Sequence, residues 1–472
     1  MILIKNATLV NEGRTYQADV LIDGERIKKI TPPHPTSKGR EVVDAAGLLL
    51  FPGIIDDQVH FREPGLTYKG DIHSETRAAV AGGITSFMDM PNTIPQTTTV
   101  EALNDKFDRA AKESMANYTF FIGATNDNLN ELKKPDARRA TAIKVFMGSS
   151  TGNMLVDNPT TLDKLFAFAG AGFAHPQQTQ PIIAAHCESE DIIRANKEKY
   201  IREFGEDLDI AFHPKIRSSE ACFASSSEAV AVAKKHGSRL HIFHLSTAKE
   251  MELLEATPPG MAGQARYDKT GKKITGEVCI HHLWFSDEDY ARLGNRIKWN
   301  PAVKTKADRD ALRQALIDGK LDVVATDHAP HTWEEKQGSC LVAASGGPMV
   351  QHALTVMLEL CRQGVFTYEL VVEKMAHAPA ELFGIKNRGY IREGYYADLV
   401  LIDPNQSWTV KAGHSGEGGN LLYKCGWSPL EGQTFSHKVV KTFVNGTLVY
   451  DNGVFQEDFR GSSINSATQK GK

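Results

Sequence analysis

The sequence predicts an α/β fold: a (β/α)8 TIM-like barrel carrying a small β-sandwich formed from both termini. Two observations predict it. The middle of the chain alternates eight short apolar runs with helix-patterned segments, the signature of a parallel sheet wound with helices. Both ends instead read as turn-punctuated β-structure. At 472 residues the chain is long enough for roughly three domains of about 150 residues, or for one large barrel with an accessory unit.

The elements follow in chain order. The first fifty residues hold ILIKNATLV, then ADVLIDGERIKKI with Asp23-Gly24 as its turn, then AGLLLFPG. Asp-Gly between alternating apolar residues is a strong hairpin signal. The barrel strands are GIIDDQVH, ITSFMDM, YTFFIGA, TAIKVFM, PIIAAHC, RLHIFHLS, TGEVCIHH and LDVVATDH. Between them lie helical patterns such as ETRAAVAGG, SSSEAVAVAKKHG and DRDALRQALIDG. Stretches 156–180 and 255–274 exceed simple connectors and are expected to be elaborated loops. Near the C-terminus YADLVLIDP reads as a strand, and VVKTFVNGTLVYDNGVF as a hairpin turning at Asn445-Gly446. The expected division is 1–52 and 381–459 for the two parts of the sandwich, 53–380 for the barrel, and 460–472 for a frayed polar tail.

Composition narrows the function. The chain is 41% apolar and 24% charged, ordinary for a globular protein. Its net charge of −4 offers no basic field, which argues against nucleic acid as a partner. No apolar run approaches the roughly 18 residues of a membrane span. Six cysteines (Cys187, Cys222, Cys279, Cys340, Cys361 and Cys425) are scattered singly. With no charged-then-apolar leader at the N-terminus, they predict a cytoplasmic location.

Several predicted strands finish in a metal-binding or ionisable residue. Strand 1 ends at Gln58 and His60, strand 4 contains Lys144, strand 5 reaches His186, strand 6 reaches His244 and strand 8 reaches Asp327. Barrel sites form at the C-terminal ends of the strands, so these side chains would converge. Imidazole and carboxylate are ligands for zinc and similar divalent ions. Any one of these histidines alone reads as a packed or surface residue; the repetition at strand ends is what points to a metal. A protonated lysine cannot bind a cation, but its carbamate is an anionic bridge. Read without the other motifs, Lys144 is better taken as a lysine paired with a nearby carboxylate. His241 shares strand 6 with His244, which is preferred because it sits at the strand end. His281 and His282 receive no ligand role.

At this point the sequence resembles a known family. IDDQVHFREPG, DMPNTIP, IKVFMG, AAHCES, HIFHLST, HHLWFSDED, KWNPAVKT and ATDHAPH are similar, in order, to the motifs of dihydroorotases of the amidohydrolase superfamily. ADLVLIDP and WSPLEG extend the likeness beyond the barrel. The resemblance implies a metal-dependent cyclic-amide hydrolase that interconverts dihydroorotate and N-carbamoyl-L-aspartate in pyrimidine synthesis. It implies His60, Lys144 (carbamylated), His186, His244 and Asp327 as ligands of one or two zinc ions, with Asp327 also the acid/base. Arg62 resembles the residue that grips the substrate carboxylate, and His60, Asn92, Asn300 and His331 further substrate contacts. Ser345 and Gly346 align with a backbone contact, within a local SGGPM that departs from the usual sequence. The main departure is Gln58, where the family usually has histidine. A neutral amide oxygen is a weaker zinc ligand than imidazole, so one of two metal positions is weakened.

The resemblance leaves two alternatives. Allantoinases and dihydropyrimidinases share the chemistry, but their usual substrates lack the ring carboxylate, which Arg62 and Asn92 favour. A catalytically inactive dihydroorotase-like partner of aspartate transcarbamoylase would have lost ligands, as Gln58 suggests; retention of the other five argues against it. A small-molecule substrate and a homodimer are the remaining implied partners.

Overall fold

The computed structural model describes residues 1–33, 41–148, 154–171, 180–257, 271–416 and 418–464. The N-terminal strands are β1 (Ile2–Asn11), β2 (Arg14–Asp23), β3 (Arg26–Thr31), β4 (Glu41–Asp44) and β5 (Leu49–Pro52). The barrel follows as β6 (Ile54–Val59), β7 (Ile84–Asp89), β8 (Asn117–Phe120), β9 (Ile122–Gly123), β10 (Ile143–Phe146), β11 (Ile182–His186), β12 (Arg239–Ile242), β13 (Ile274–Cys279) and β14 (Val323–Ala325). The chain then adds β15 (Leu399–Asp403), the short ribbon β16 (Trp408–Thr409) with β17 (Thr434–Phe435), and β18 (Lys438–Val444), β19 (Thr447–Asp451) and β20 (Val454–Phe455).

The barrel has the eight parallel strands expected, with the third in two pieces. β6, β7 and β8 pair in parallel, and β9 to β14 pair in sequence order. Between β8 and β9, Phe121 N bonds back to Asp89 O at 3.1 Å while Ile122 N crosses forward to Ala142 O at 3.2 Å. The parallel bridge Val59–His328, with His60 N donating to His328 O at 2.7 Å, joins the first and last strands. Because the helices cover the outside and side chains fill the inside, β6, β7, β10 and β11 are buried along their whole length. Such strands read as near-continuous apolar runs and not as alternations.

The two termini meet in one mixed sheet of nine strands among the described residues, in the order β20-β19-β18-β15-β5-β1-β2-β3, with β4 also on β1. Period-two alternation splits β15 between two cores. Leu399 and Leu401 pack with Leu9, Val20, Ile22 and Leu50 inside the sandwich. Val400 and Ile402 join Phe51 and Val444 against the barrel. The turn at Asn445 (φ 48°) and Gly446 (φ 75°) is left-handed at both positions, as a type I′ hairpin requires.

Four local expectations change. Residues 159–171 of the first expected loop form a helix, Pro159–Ala171, because Leu162, Leu165, Phe166 and Ala169 present a buried face at helical spacing. Residues 172–179 and 258–270 of the two expected loops lie outside the described residues. The β2–β3 turn sits on Gly24-Glu25, one residue later than Asp23-Gly24, since Asp23 still pairs with Arg26. β13 stops at Cys279, so His281 and His282 lie on the following helical turn, Ile280–Trp284. Finally, the start of the polar tail is packed: Ile464 is buried and its N bonds to Tyr118 O at 3.0 Å. Residues 465–472 lie outside the described residues.

The lower lumen is apolar. Ile55, Met88, Phe121, Phe243 and Val323 pack there with Ala378, Leu382 and Phe383, which close that end of the barrel. A cavity opens at the upper, C-terminal end.

Candidate active site

At that upper end one cavity is lined by Gln58, His60, Arg62, Asn92, Lys144, His186, His244, Asn300, Asp327, Ser345 and Gly346. His331 lies on the adjoining pocket, which shares Arg62 and Asn92. The structure therefore brings eleven of the twelve residues singled out from sequence into one cavity, with the twelfth beside it.

Backbone geometry aims three of them. Arg62 (φ 68°), His244 (φ 38°) and Asp327 (φ 45°) adopt left-handed conformations that non-glycine residues seldom take. Each costs on the order of 1 kcal/mol or more and persists only where the surroundings enforce it. All three lie just beyond strand ends, where the chain turns its side chain into the cavity.

The polar atoms face one another in pairs. His60 Nδ1 meets Asn92 Oδ1 at 2.7 Å and its Nε2 meets Asp327 Oδ1 at 3.1 Å. With Nδ1–H donating to the amide oxygen, Nε2 turns a lone pair toward a carboxylate oxygen. On the other side, His186 Nδ1 is 2.9 Å from His244 Nε2, and His186 Nε2 is 3.1 Å from Glu188 Oε2. Glu188 is fully buried; although burial opposes its charge, Arg217 and His186 hold its carboxyl down at about 2. Its charge favours the proton on His186 Nε2 and leaves Nδ1 as a lone pair. This is the arrangement by which carboxylates orient metal-binding histidines. Burial pushes the pKa of His186 down and that of His244 well down, which favours the neutral, ligating imidazole.

Lys144 lies between these pairs. It is completely buried, its Nζ has no hydrogen-bond partner among the described residues, and it sits 4.0 Å from the Phe243 ring centroid. Burial lowers its pKa to about 8, against the pull of Asp327 and Glu277. A converging set of imidazole lone pairs, one carboxylate and an orphaned amine suits a metal ion. Gln58 contributes less: among the described residues its Oε1 accepts only from the Cys279 thiol, at 3.8 Å.

The wall beside the metal-type residues is cationic. Arg62 is buried, with Nε donating to Pro330 O at 3.0 Å and Nη2 to His331 Nε2 at 3.1 Å, while Nη1 makes no hydrogen bond among the described residues. His331 Nδ1 bonds Glu335 Oε2 at 3.0 Å, and burial, with Arg62 next, pushes its pKa to about 3. Opposite, Gly346 has φ 128°, and a Cβ there would lie 2.6 Å from Ala329 O. Lys336, itself buried, donates to Gly346 O at 2.8 Å, Ala344 O at 2.8 Å and Lys298 O at 3.2 Å. Gly346→Ala is accordingly expected to destabilise the fold by about 2 kcal/mol or more. Urea unfolding checks this; an unchanged midpoint would mean that the 346 backbone is free to relax.

Several residues escaped the sequence. Phe146, Trp299 and Ala329 complete the lining. Glu188 and Arg217, 29 residues apart, support the histidines. Glu188 alone left a signal, as an acid two positions beyond a strand-end histidine.

Comparison with known proteins places the chain. The model of the Amidohydrolase family matches residues 49–449. The chain belongs to the amidohydrolase family. Among its relatives, a dihydroorotase from Halobacterium salinarum is 33% identical over 96% of this chain and 97% of that one. An allantoinase from Bacillus velezensis is 28% identical over 96% and 94%. The L-hydantoinase of Arthrobacter aurescens superposes with a TM-score of 0.86, at 26% identity, over 96% of this chain and 97% of that one. As an amidohydrolase with this site, the protein is a cyclic-amide hydrolase whose cavity suits a metal. No helix among the described residues is long and apolar enough to cross a membrane.

Proposed function

We propose that this amidohydrolase is a dihydroorotase, interconverting dihydroorotate and N-carbamoyl-L-aspartate. The observation that carries this reading is Arg62, whose buried guanidinium lines the metal-type cavity with Nη1 unspent. A fixed guanidinium fork recognises a carboxylate. Dihydroorotate carries one on its ring, whereas the usual substrates of allantoinases and dihydropyrimidinases lack it.

Zinc is the metal the donor set favours, with His186, His244 and a carbamate on Lys144 at one position and His60 and Asp327 at the other. When bound, a divalent metal supplies Lewis acidity, acidifying water and polarising a carbonyl. The chain's own groups do the rest. Arg62 and Asn92 hold and orient the ring. Asp327, anchored through Oδ1 to His60, keeps Oδ2 without a hydrogen-bond partner among the described residues. That oxygen takes the proton of the attacking water and returns it to the leaving ring nitrogen. Trp299 and Phe146 narrow the cavity around these polar groups.

The decisive experiment measures turnover of dihydroorotate, allantoin, dihydrouracil and hydantoin by purified, metal-loaded protein. Dihydroorotate is expected to be the preferred substrate; no activity on it, with turnover of one of the others, sinks the reading. Arg62→Met is expected to lower kcat/KM for dihydroorotate by about 10²–10³-fold, the effect of removing one partner of a buried charge pair. Metal content is expected to stay unchanged. Co-loss of metal would show that Arg62 acts through the ligands.

Gln58 bears on occupancy. An amide oxygen competes poorly with imidazole for zinc, so the position of Lys144, His186 and His244 fills first. Gln58→His is expected to raise occupancy beside His60 and Asp327, read by metal analysis after equal loading. Two full ions already present in the unaltered protein would remove Gln58 as a weak point.

A further inference from the structure

A second set of ligand-type side chains lies deeper in the barrel, below the cavity. Asp57 on β6, His241 on β12 and Glu277 on β13 are all completely buried. His241 Nε2 is 3.4 Å from Asp57 Oδ2 and 3.8 Å from Glu277 Oε2. One ligand atom from each of the three lies within 4.8 Å of the others. None of these residues lines the active-site cavity.

The remainder of two of the groups is tied down, so the free atoms are fixed in direction. His241 Nδ1 is engaged with Thr275 Oγ1 at 2.8 Å. Glu277 Oε1 accepts from His244 N at 3.1 Å and from Cys279 Sγ at 3.3 Å. What is left is Asp57 Oδ1 and Oδ2, His241 Nε2 and Glu277 Oε2, all buried and all without a hydrogen-bond partner among the described residues. His241 Nε2 is within ion-pair range of both carboxylates, but no hydrogen bond replaces the hydration these four atoms give up on burial. Phe243 and Phe383 stand edge-on to His241 at 5.2 and 5.7 Å, so the base of the set is apolar.

The 3.4 Å separation of His241 Nε2 from Asp57 Oδ2 is that of two ligands around an ion more than that of a hydrogen bond, and Glu277 Oε2, at 3.8 Å, is a few tenths of an ångström further out. An N–H···O bond closes to about 2.7–3.2 Å. Bonds of about 2.0–2.1 Å to a tetrahedral zinc-like ion set its ligands roughly 3.3–3.4 Å apart. Although burial opposes its charge, Asp57 and Glu277 raise the pKa of His241 to about 9, so a divalent ion would bind by displacing the His241 proton, after which two carboxylates balance its charge. We propose that Asp57, His241 and Glu277 bind a divalent cation of the zinc type, as a structural site separate from the catalytic metal positions. It would tie β6 to β12 and β13 across the lumen and, through Glu277 Oε1, fix the backbone of His244 above it.

The test uses the full chain saturated with zinc alone and then freed of excess. Anomalous scattering from its crystals is expected to show a peak about 2.0–2.2 Å from Asp57, His241 and Glu277, besides any peak near Lys144. Asp57→Asn, which keeps the shape, is expected to lose that peak and to bind one zinc fewer per chain while keeping zinc at Lys144. Peaks confined to the upper site in zinc-saturated crystals, or equal stoichiometry in Asp57→Asn, would overturn the proposal. If the variant fails to fold, the map of the unaltered protein decides alone.

Discussion

Asp327→Asn is expected to lower kcat for dihydroorotate by at least about 10²–10⁴-fold, the range attached to a positioned general acid/base. The substitution is isosteric, so its effect is chemical. Asp327 is nearly buried, its Oδ1 is held 3.1 Å from His60 Nε2, and its backbone at φ 45° fixes where Oδ2 points. An amide at that position keeps the contact to His60 if its oxygen takes the Oδ1 place, but it cannot carry a proton between water and the ring nitrogen at neutral pH. Zinc is expected to remain at Lys144, His186 and His244, since those residues form a separate cluster around the 2.9 Å contact of His186 with His244. The measurement pairs kcat with metal content. Activity within tenfold of the parent, with metal retained, would remove Asp327 from the acid/base role. Loss of all metal would make it a ligand first.

The barrel and most of the cavity were legible because two independent patterns coincide. Strands buried on both faces produce continuous apolar runs, and a barrel collects the residues that end those runs. His60, His186 and His244 are found by that rule without reference to each other. The choice of His244 over His241 rested only on position along strand 6; the structure supplies the physical reason, since the left-handed turn at His244 aims it at His186 while His241 points into the lumen. What stayed illegible depends on contacts across the barrel. Asp57 reads as an incidental acid beside Gln58 until β12 and β13 are seen to bring His241 and Glu277 to it. Arg217 reads as one more surface arginine until its ion pair with Glu188 is seen. The short helix Pro159–Ala171 was missed because it is apolar over much of its circumference, which blurs the 3.6-residue period that its buried face carries.

Lys144→Ala is expected to abolish activity, by at least about 10²-fold, and to empty the metal position it shares with His186 and His244. The Lys144 amine is in the wrong place for a salt bridge. Its Nζ is fully enclosed, has no hydrogen-bond partner among the described residues, and rests over the faces of Phe243 and Phe146 at 4.0 and 4.7 Å. An ammonium there meets two imidazoles whose lone pairs it cannot displace onto another donor, and a metal ion beside it would be repelled. Burial lowers its pKa to about 8, which leaves about a tenth of the amine neutral at pH 7 before any metal arrives. A neutral amine can add carbon dioxide, and a carbamate there would reverse the sign of the charge and supply two oxygens to the ligand set. Alanine removes the bridge but leaves a hole of its shape, so a short carboxylic acid supplied with zinc is expected to restore part of the metal content and part of the activity. Substituting methionine fills the hole, and rescue should then fail. The carbamate itself is read directly, as a labelled signal after exchange with carbon-13 bicarbonate and as density beyond Nζ in metal-loaded crystals. An active, metal-loaded crystal with clear density for an unmodified lysine would overturn this role.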